Sequence, residues 1–474
     1  MVLSYEPFSW YGVVFISLAV LCYFLHDVSS KLKAFVLGFA FGLGLFTVGV
    51  SWVYVSLSTY GGMPLWMGGV AVLLFSSVLA VFIGLVGILQ VIVIPQPSSL
   101  RLLVIPPCWV TFEWLKGWIF TGFPWLDVGY TQTPSWLFAF APLGGVHLIT
   151  LVVVSISCLL VLMCLSRHRW LPVLGLVIIV SASWLLNFIE WSDDDGEALN
   201  VAIIQANIPI DLKWQAGHRD QHIALYSAMS EEANQVSEVD LFVWPETAIP
   251  IYLQQTDDAF WRSIVPTGSA VLTGLMDAPA HEEVYNAAAL WCEDKQSVYR
   301  KQHLVPFGEY LPLRFLFNWV LEYLELPMSD FSVGSNGQAL QCLDKINISL
   351  SICYEDAFGA EWRQNVGDAT LLVNISEDAW FGDSLAPHQR LQMAQMRARE
   401  LSRPLVRSAN TGPSVVINQK GQVVAKTSQF EAQTLAYVVQ PQTGNTWYKR
   451  FGNWIVFFGF VSLLFVFFIV RHRK

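Results

Sequence analysis

Charge is scarce in this chain. Only 14% of its 474 residues are Asp, Glu, Lys or Arg, against roughly 25% in ordinary soluble domains, and a mean hydropathy of +0.47 excludes a wholly soluble protein. The charge that is present leans acidic: a formal net charge of -10 argues against nucleic acid as a partner. None of the 7 cysteines falls in a CxxC spacing, so dithiol redox and zinc sites lack support. No internal repeat or low-complexity tract stands out, and no residue cluster suggests a metal or an organic cofactor. The start, Met-Val-Leu-Ser-Tyr-Glu, has no positive n-region, so a cleaved signal peptide is not expected.

Long apolar runs are abundant instead. Segments of roughly 20 residues, enough to span a bilayer, fall near 9–26, 34–57, 65–94, 102–121, 136–165 and 170–189, with a last one at 451–470. The expected organisation is a six-span bundle over 1–192, a soluble domain over 195–447 and a C-terminal span. Basic residues occupy every second loop: Lys31 and Lys33, Arg101, Arg167 and Arg169, then Arg471, Arg473 and Lys474. Tyr60-Gly-Gly-Met63 and Asp193-Asp-Asp195 lie on the other side. The positive-inside rule then places the soluble domain outside and the C-terminus in the cytoplasm. Cys22, Cys108, Cys158 and Cys164 sit in apolar runs as small hydrophobes. Cys292 and Cys342 could pair in an oxidising compartment, which the sequence leaves open.

The soluble stretch alternates strand-like and helical runs. Leu199–Gln205, Leu241–Trp244, Ala270–Thr273, Ile346–Cys353 and Thr370–Asn374 read as strands, and 217–238 and 386–402 as amphipathic helices. This alternation predicts an α/β layer fold with functional groups at strand ends. Three such ends carry complementary chemistry. Cys353 closes the alternating run Ile346-Asn-Ile-Ser-Leu-Ser-Ile and leads into Tyr354-Glu355-Asp356. Glu246 follows Asp240-Leu-Phe-Val-Trp244-Pro245, and Lys301 follows Ser297-Val-Tyr-Arg300. A lysine favours the thiolate and stabilises a following oxyanion, and a carboxylate can take and return the proton. Each residue also has a plainer reading. Cys353 suits a buried core thiol, Glu246 a helix cap and Lys301 a solvated basic face, while Cys342 is a rival nucleophile without an acid-rich turn.

The blocks Trp244-Pro-Glu246, Arg300-Lys301-Gln-His-Leu-Val-Pro-Phe-Gly-Glu309-Tyr and Ile352-Cys353-Tyr-Glu355 resemble the signatures of the nitrilase superfamily. That resemblance implies an αββα sandwich and a Glu246–Lys301–Cys353 triad. More narrowly, Asn374-Ile-Ser-Glu-Asp-Ala-Trp380-Phe-Gly-Asp, Arg397-Ala-Arg-Glu400-Leu-Ser-Arg403-Pro and Arg407-Ser-Ala-Asn410-Thr-Gly412 resemble the apolipoprotein N-acyltransferase family. Trp52-Val-Tyr-Val-Ser, Gly61-Gly-Met-Pro and Thr121-Gly-Phe-Pro-Trp125 in the membrane part match in order. The resemblance implies acyl exchange at the outer face of a bacterial inner membrane. Cys353 would take an acyl chain from the sn-1 ester of a phospholipid, usually phosphatidylethanolamine. The chain would then pass to the α-amine of a diacylglyceryl-cysteine apolipoprotein, with no cofactor and as a monomer.

Further positions carry over as supports. Glu309 would orient Lys301, Tyr354 and Glu355 flank the nucleophile, and Trp214 and Trp380 would exclude water from a thioester. Asn286 and Glu400 would line or brace the site. Glu113 and Lys116, near the end of a span, are expected to snorkel or pair. The family usually has eight spans, so an opening helix is expected to be missing ahead of Tyr5. The competing readings are a membrane-tethered amidase with water as acceptor, using the same triad, and a transporter. Against the latter, the spans hold almost no ionisable groups away from their ends.

Overall fold

A computed structural model describes residues 1–215, 217–280, 283–293, 295–312, 330–342 and 346–472. Arg473 and Lys474, two of the basic residues used for orientation, lie outside them. The apolar runs form helices α1 (Val13–Asp27), α2 (Lys31–Gly49), α3 (Leu65–Val93), α4 (Arg101–Lys116), α5 (Ala141–Leu165) and α6 (Trp170–Leu186). By length and composition Lys31–Gly49, Leu65–Val93 and Trp136–Leu165 can cross a membrane, and Val13–Asp27, Trp170–Leu186 and Trp454–Val470 are shorter apolar helices. Two expected runs end early. The 34–57 run breaks after Gly49, and Val55–Tyr60 winds as a separate π-helical turn. In the 102–121 run the α-helix ends at Lys116, followed by a three-residue 3-10 turn at Ile119–Thr121.

Close contact between α2 and α3 depends on glycine. A Cβ at Gly38 would run into the Ile83 carbonyl, and one at Gly87 into that of Ala34. With no hydrophobic drive between helices in lipid, such close backbone approach supplies the packing. Arg101, expected as a loop cation, is fully buried. Its guanidinium donates to the carbonyls of Ile94 (2.9 Å), Pro95 (2.9 Å) and His26 (3.2 Å), gathering chain ends that have no helical partner.

The remainder builds two six-stranded sheets. The first uses β1 (Leu199–Gln205), β2 (Leu241–Val243), β3 (Ala270–Ala280), β4 (Glu283–Cys292) and β5 (Lys295–Arg300). The second uses β6 (Leu340–Cys342), β7 (Ile346–Ile352), β8 (Leu371–Ser376), β9 (Leu405–Ala409), β10 (Val415–Ile417) and β11 (Val423–Lys426), and β12 (Gln433–Val439) returns to the first. Their orders are β12-β1-β2-β3-β4-β5 and β11-β10-β9-β8-β7-β6. Each sheet has a parallel centre, β1-β2-β3 or β7-β8-β9, flanked by antiparallel strands.

Parallel strands covered on both faces read as continuous apolar runs, and both faces of these are filled. Val201 and Ile203 point into the core between the sheets, with Leu350, Ile352 and Val373 opposite. Ala202 and Ile204 point outward beneath α7 (Arg219–Val236) and α8 (Asp258–Ile264). On the far side α9 (Gly359–Asn365) and α10 (Ala386–Leu401) cover Leu372 and Leu405. The result is the expected αββα sandwich, and α11 (Trp454–His472) follows it. Cys292 and Cys342, left open by sequence, are joined as a disulfide between β4 and β6, their Cα atoms 6.0 Å apart. It ties one sheet to the other near one edge.

Helix α10 also joins the sandwich to the bundle. Every one of its residues except His388 and Gln395 is buried. Gln389 accepts from the Trp125 indole at 2.6 Å and donates to the Gly49 carbonyl at 3.0 Å. Gln392 donates to Thr133 at 3.1 Å, and Arg397 to the Tyr130 hydroxyl at 3.2 Å. The polar face predicted for 386–402 therefore meets protein and not water.

Candidate active site

Strand β7 delivers Cys353 to the first position of a tight turn, Cys353–Ala357. Its φ of 51° lies in the left-handed region, which a non-glycine residue keeps only when its surroundings hold it there. Glu246 leaves β2 through Trp244 and Pro245, and its turn rests on Gly274 of β3. A Cβ at Gly274 would strike the backbone of Glu246 and Thr247, so glycine is required for this approach. Lys301 follows β5 directly, its N–H bonded to the Asn286 carbonyl at 2.8 Å.

These ends converge on a buried charge cluster. Glu246 is 6% exposed, Lys301 1% and Cys353 8%. Lys301 Nζ lies 2.9 Å from Glu309 Oε1 and 3.7 Å from Glu246 Oε1. The Asn286 amide donates to both carboxylates, each at 2.8 Å. Glu246 Oε2 accepts the Glu377 N–H at 2.8 Å, and Glu309 Oε2 that of Val305 at 2.8 Å. Burial works to raise the Glu246 pKa, but Lys301 and the Asn286 donor more than reverse it, leaving the carboxyl below its ordinary range. Burial works to lower that of Lys301, and Glu309 and Glu246 overcome it, so the ammonium stays charged. The Cys353 thiol is pushed up to about 12 by burial and then by the Glu246 carboxylate, with Arg390 and Lys301 opposing. The resting site thus holds a neutral thiol beside an ionised carboxylate, the state from which a base-assisted attack begins.

The flanking candidates divide. Glu355 sits behind the turn: its carboxylate accepts the N–H groups of Ile352 (2.6 Å), Gln302 (2.6 Å) and His303 (3.0 Å) and the Tyr299 hydroxyl (3.0 Å). It clamps the cysteine turn to the lysine segment. Tyr354 faces the bundle, its hydroxyl on the Gly122 carbonyl at 3.1 Å and its ring stacked near Trp125 and Phe123. Trp380 packs edge-on against Tyr60 of the π-helical turn, and its carbonyl accepts from Ser56 at 2.9 Å. Trp214 is 44% exposed. Glu400 is not gathered with the others; it accepts the Val146 N–H at 2.8 Å and pairs with Arg397 at 3.2 Å, bracing sandwich against bundle. Glu113 and Lys116 are paired, Glu113 with the Thr150 hydroxyl at 2.7 Å and Lys116 with Asp127 at 2.8 Å.

Two buried cations escaped the sequence reading. Lys213 donates to the Glu246 carbonyl at 2.8 Å and pairs with Glu377. Arg390 reaches Cys353 itself. The signal for Lys213 was its place beside Trp214. Arg390 had none, since cations on an amphipathic helix read as a solvated face.

A model of the apolipoprotein N-acyltransferase N-terminal domain matches residues 1–159, and one of carbon-nitrogen hydrolase matches residues 200–449. The apolipoprotein N-acyltransferase of Methylococcus capsulatus is 37% identical over 95% of this chain and 90% of its own length. That of Vibrio parahaemolyticus is 36% identical over 96% and 92%. Among solved structures, a carbon-nitrogen hydrolase from Helicobacter pylori G27 aligns at 16% identity and a TM-score of 0.40, covering 51% of this chain and 89% of that one. That likeness is too slight to add to the family match.

Proposed function

This chain belongs to the apolipoprotein N-acyltransferase family, and on that premise we propose that Cys353, Glu246 and Lys301 run its acyl transfer as a two-step exchange. The activity is that of a bacterial inner-membrane acyltransferase with lipid and lipoprotein substrates. In the first step Sγ of Cys353 attacks the sn-1 ester carbonyl of a phospholipid as its proton passes to Glu246. The tetrahedral oxyanion develops beside the Lys301 ammonium. Its collapse expels the glycerol oxygen, which takes the proton back, leaving lysophospholipid and a thioester. In the second step the α-amine of a diacylglyceryl-cysteine attacks that thioester and gives its proton to Glu246. The sulfur leaves and recovers the proton, and an amide remains.

The observation that carries this reading is where the thiol sits. Tyr354, the next residue, is stacked among the bundle's Trp125 and Phe123, so the thiol lies where helices meet sandwich. An acyl chain can stay in hydrocarbon while its ester rises to the sulfur. Asn286 and Glu309 hold the charges in register, Glu355 the turn and Glu400 the joint, while Trp214 and Trp380 flank the site to limit water. Phosphatidylethanolamine is the proposed donor. A single chain is the proposed acting unit, because one copy supplies the whole triad. Seven spans with the sandwich in the periplasm agree with the basic loops, and a Cys292–Cys342 disulfide suits an oxidising compartment.

The deciding experiment mixes purified protein in detergent with phosphatidylethanolamine and no acceptor, and reads intact mass. A hydroxylamine-labile acyl adduct on Cys353, chased to an amide by a diacylglyceryl-cysteine peptide, is the expected result. An adduct that only water removes would make it a hydrolase. No adduct on folded protein would dismiss the assignment of the triad.

A further inference from the structure

The thiol has a second cation at hand. Arg390 Nη1 lies 3.7 Å from Cys353 Sγ, and Nη2 donates to the Cys353 carbonyl at 2.6 Å. The side chain is 1% exposed. It is gripped by Asp356 at 2.8 Å and by Asp378 at 2.7 Å. Asp378 is held in turn by Arg407, whose Nη2 reaches its two oxygens at 3.0 and 2.8 Å. Two arginines and two aspartates make a formally neutral cluster, which can stay buried because every charge is paired. Its geometry nonetheless presents the positive edge to sulfur. Nη1 also donates to Asp378 and Ser376, so its pull on sulfur is that of a near charge more than of a hydrogen bond.

The backbone gives a second, independent reason. The left-handed Cys353 carbonyl accepts from Arg390 and, more weakly at 3.3 Å, from Asn374. An arginine serving only the two aspartates would have no need to reach this carbonyl and this sulfur together.

We propose that Arg390 is a second catalytic cation, favouring negative charge on Cys353 Sγ both as it attacks the phospholipid ester and as it leaves the thioester, while anchoring the left-handed turn that presents it. The proposal rests on Cys353 being the nucleophile. Facing the thiol are Glu246 and Lys301 from the first sheet and Arg390 from α10, with Asp378 acting from its 3-10 turn and Asp356 and Arg407 behind Arg390. Against burial and Glu246, the Arg390 charge opposes the rise in the thiol pKa more than that of Lys301 does.

The test pairs alkylation of Cys353 by iodoacetamide across pH 7 to 9 with single-turnover acylation by phosphatidylethanolamine, on full-length protein in detergent. Thiolate fraction sets the alkylation rate, so each unit of pKa rise slows it about ten-fold at fixed pH. Arg390→Gln combined with Asp356→Asn removes one cation and one anion and keeps the cluster neutral. Both reactions are expected to slow about ten-fold or more. Lysine cannot grip Asp356, Asp378 and the Cys353 carbonyl at once, so Arg390→Lys is expected to slow both several-fold. A ten-fold or greater loss of both rates in folded Arg390→Lys, which keeps the charge, overturns the proposal whether or not the paired variant folds, and so do wild-type rates in a folded paired variant. Absence of an acyl-enzyme in the unaltered protein would instead refute Cys353 as nucleophile.

Discussion

Replacing both Cys292 and Cys342 by Ala removes the cross-link between the two sheets. The sequence separation is 50 residues, and the loop-closure entropy denied to the unfolded chain for a loop of that length is worth about 4 kcal/mol at 25 °C. For a unit of roughly 240 residues, each kcal/mol moves the melting midpoint by about 2–4 °C. The double variant is therefore expected to melt on the order of 10 °C below the oxidised protein, and dithiothreitol should bring the unaltered protein down to match. Tryptophan fluorescence during a thermal ramp in detergent reads this directly, because Trp244, Trp261 and Trp362 are buried in the sandwich. Lys301 and Glu309 lie inside the closed loop yet are held by their own bonds to Asn286 and Val305. Acylation well below both midpoints should consequently be nearly unchanged. A midpoint within about 2 °C of the unaltered protein, with no response to reductant, would refute the reasoning.

Glu246→Gln keeps an acceptor for Asn286 but removes the proposed base, and single-turnover acyl-enzyme formation should fall by roughly 100- to 10,000-fold with little change in melting. Lys301→Met leaves the buried Glu246 and Glu309 carboxylates without their shared cation, so acylation should vanish and stability drop by about 3–5 kcal/mol, read as a lowered melting midpoint. Burial raises the Glu355 pKa from 4.5 to about 7. A folded pKa above the unfolded one means the protonated form favours folding, so this contribution is complete below pH 4.5 and is lost as pH rises through 7. The change amounts to about 3 kcal/mol. Melting followed between pH 5 and 8 should therefore decline more steeply in the unaltered protein than in Glu355→Gln, and parallel curves would count against it.

Much of the sandwich was legible because its central strands are either continuous apolar runs or strictly alternating ones: Leu199–Gln205 runs as read, and the alternating Ile346–Cys353 loses only its last residue to the turn. Strand β4 was missed because Asn286-Ala-Ala-Ala289 has poor strand propensity, and its place is fixed by pairing with β3 and β5. The triad stood out because each member ends a strand beside a turn. Arg390, Lys213 and the bracing role of Glu400 stayed hidden, since local sequence does not show which polar helical face will be covered by another part of the chain. The same ambiguity hid the burial of Arg101, which keeps its place at the loop end but caps chain ends there instead of facing water.

Helix α10 has a practical consequence for anyone wishing to work with the catalytic half alone. Cutting away the membrane helices would strip Gln389, Gln392, Arg397 and Glu400 of their partners at Trp125, Gly49, Thr133, Tyr130 and Val146. The ring of Tyr354 would lose its stack in the same stroke. The helix that donates Arg390 to the thiol is thus seated by the very part a truncation discards. A fragment cut at that border is expected to lose the seat of this helix, so reconstitution should start from the whole chain.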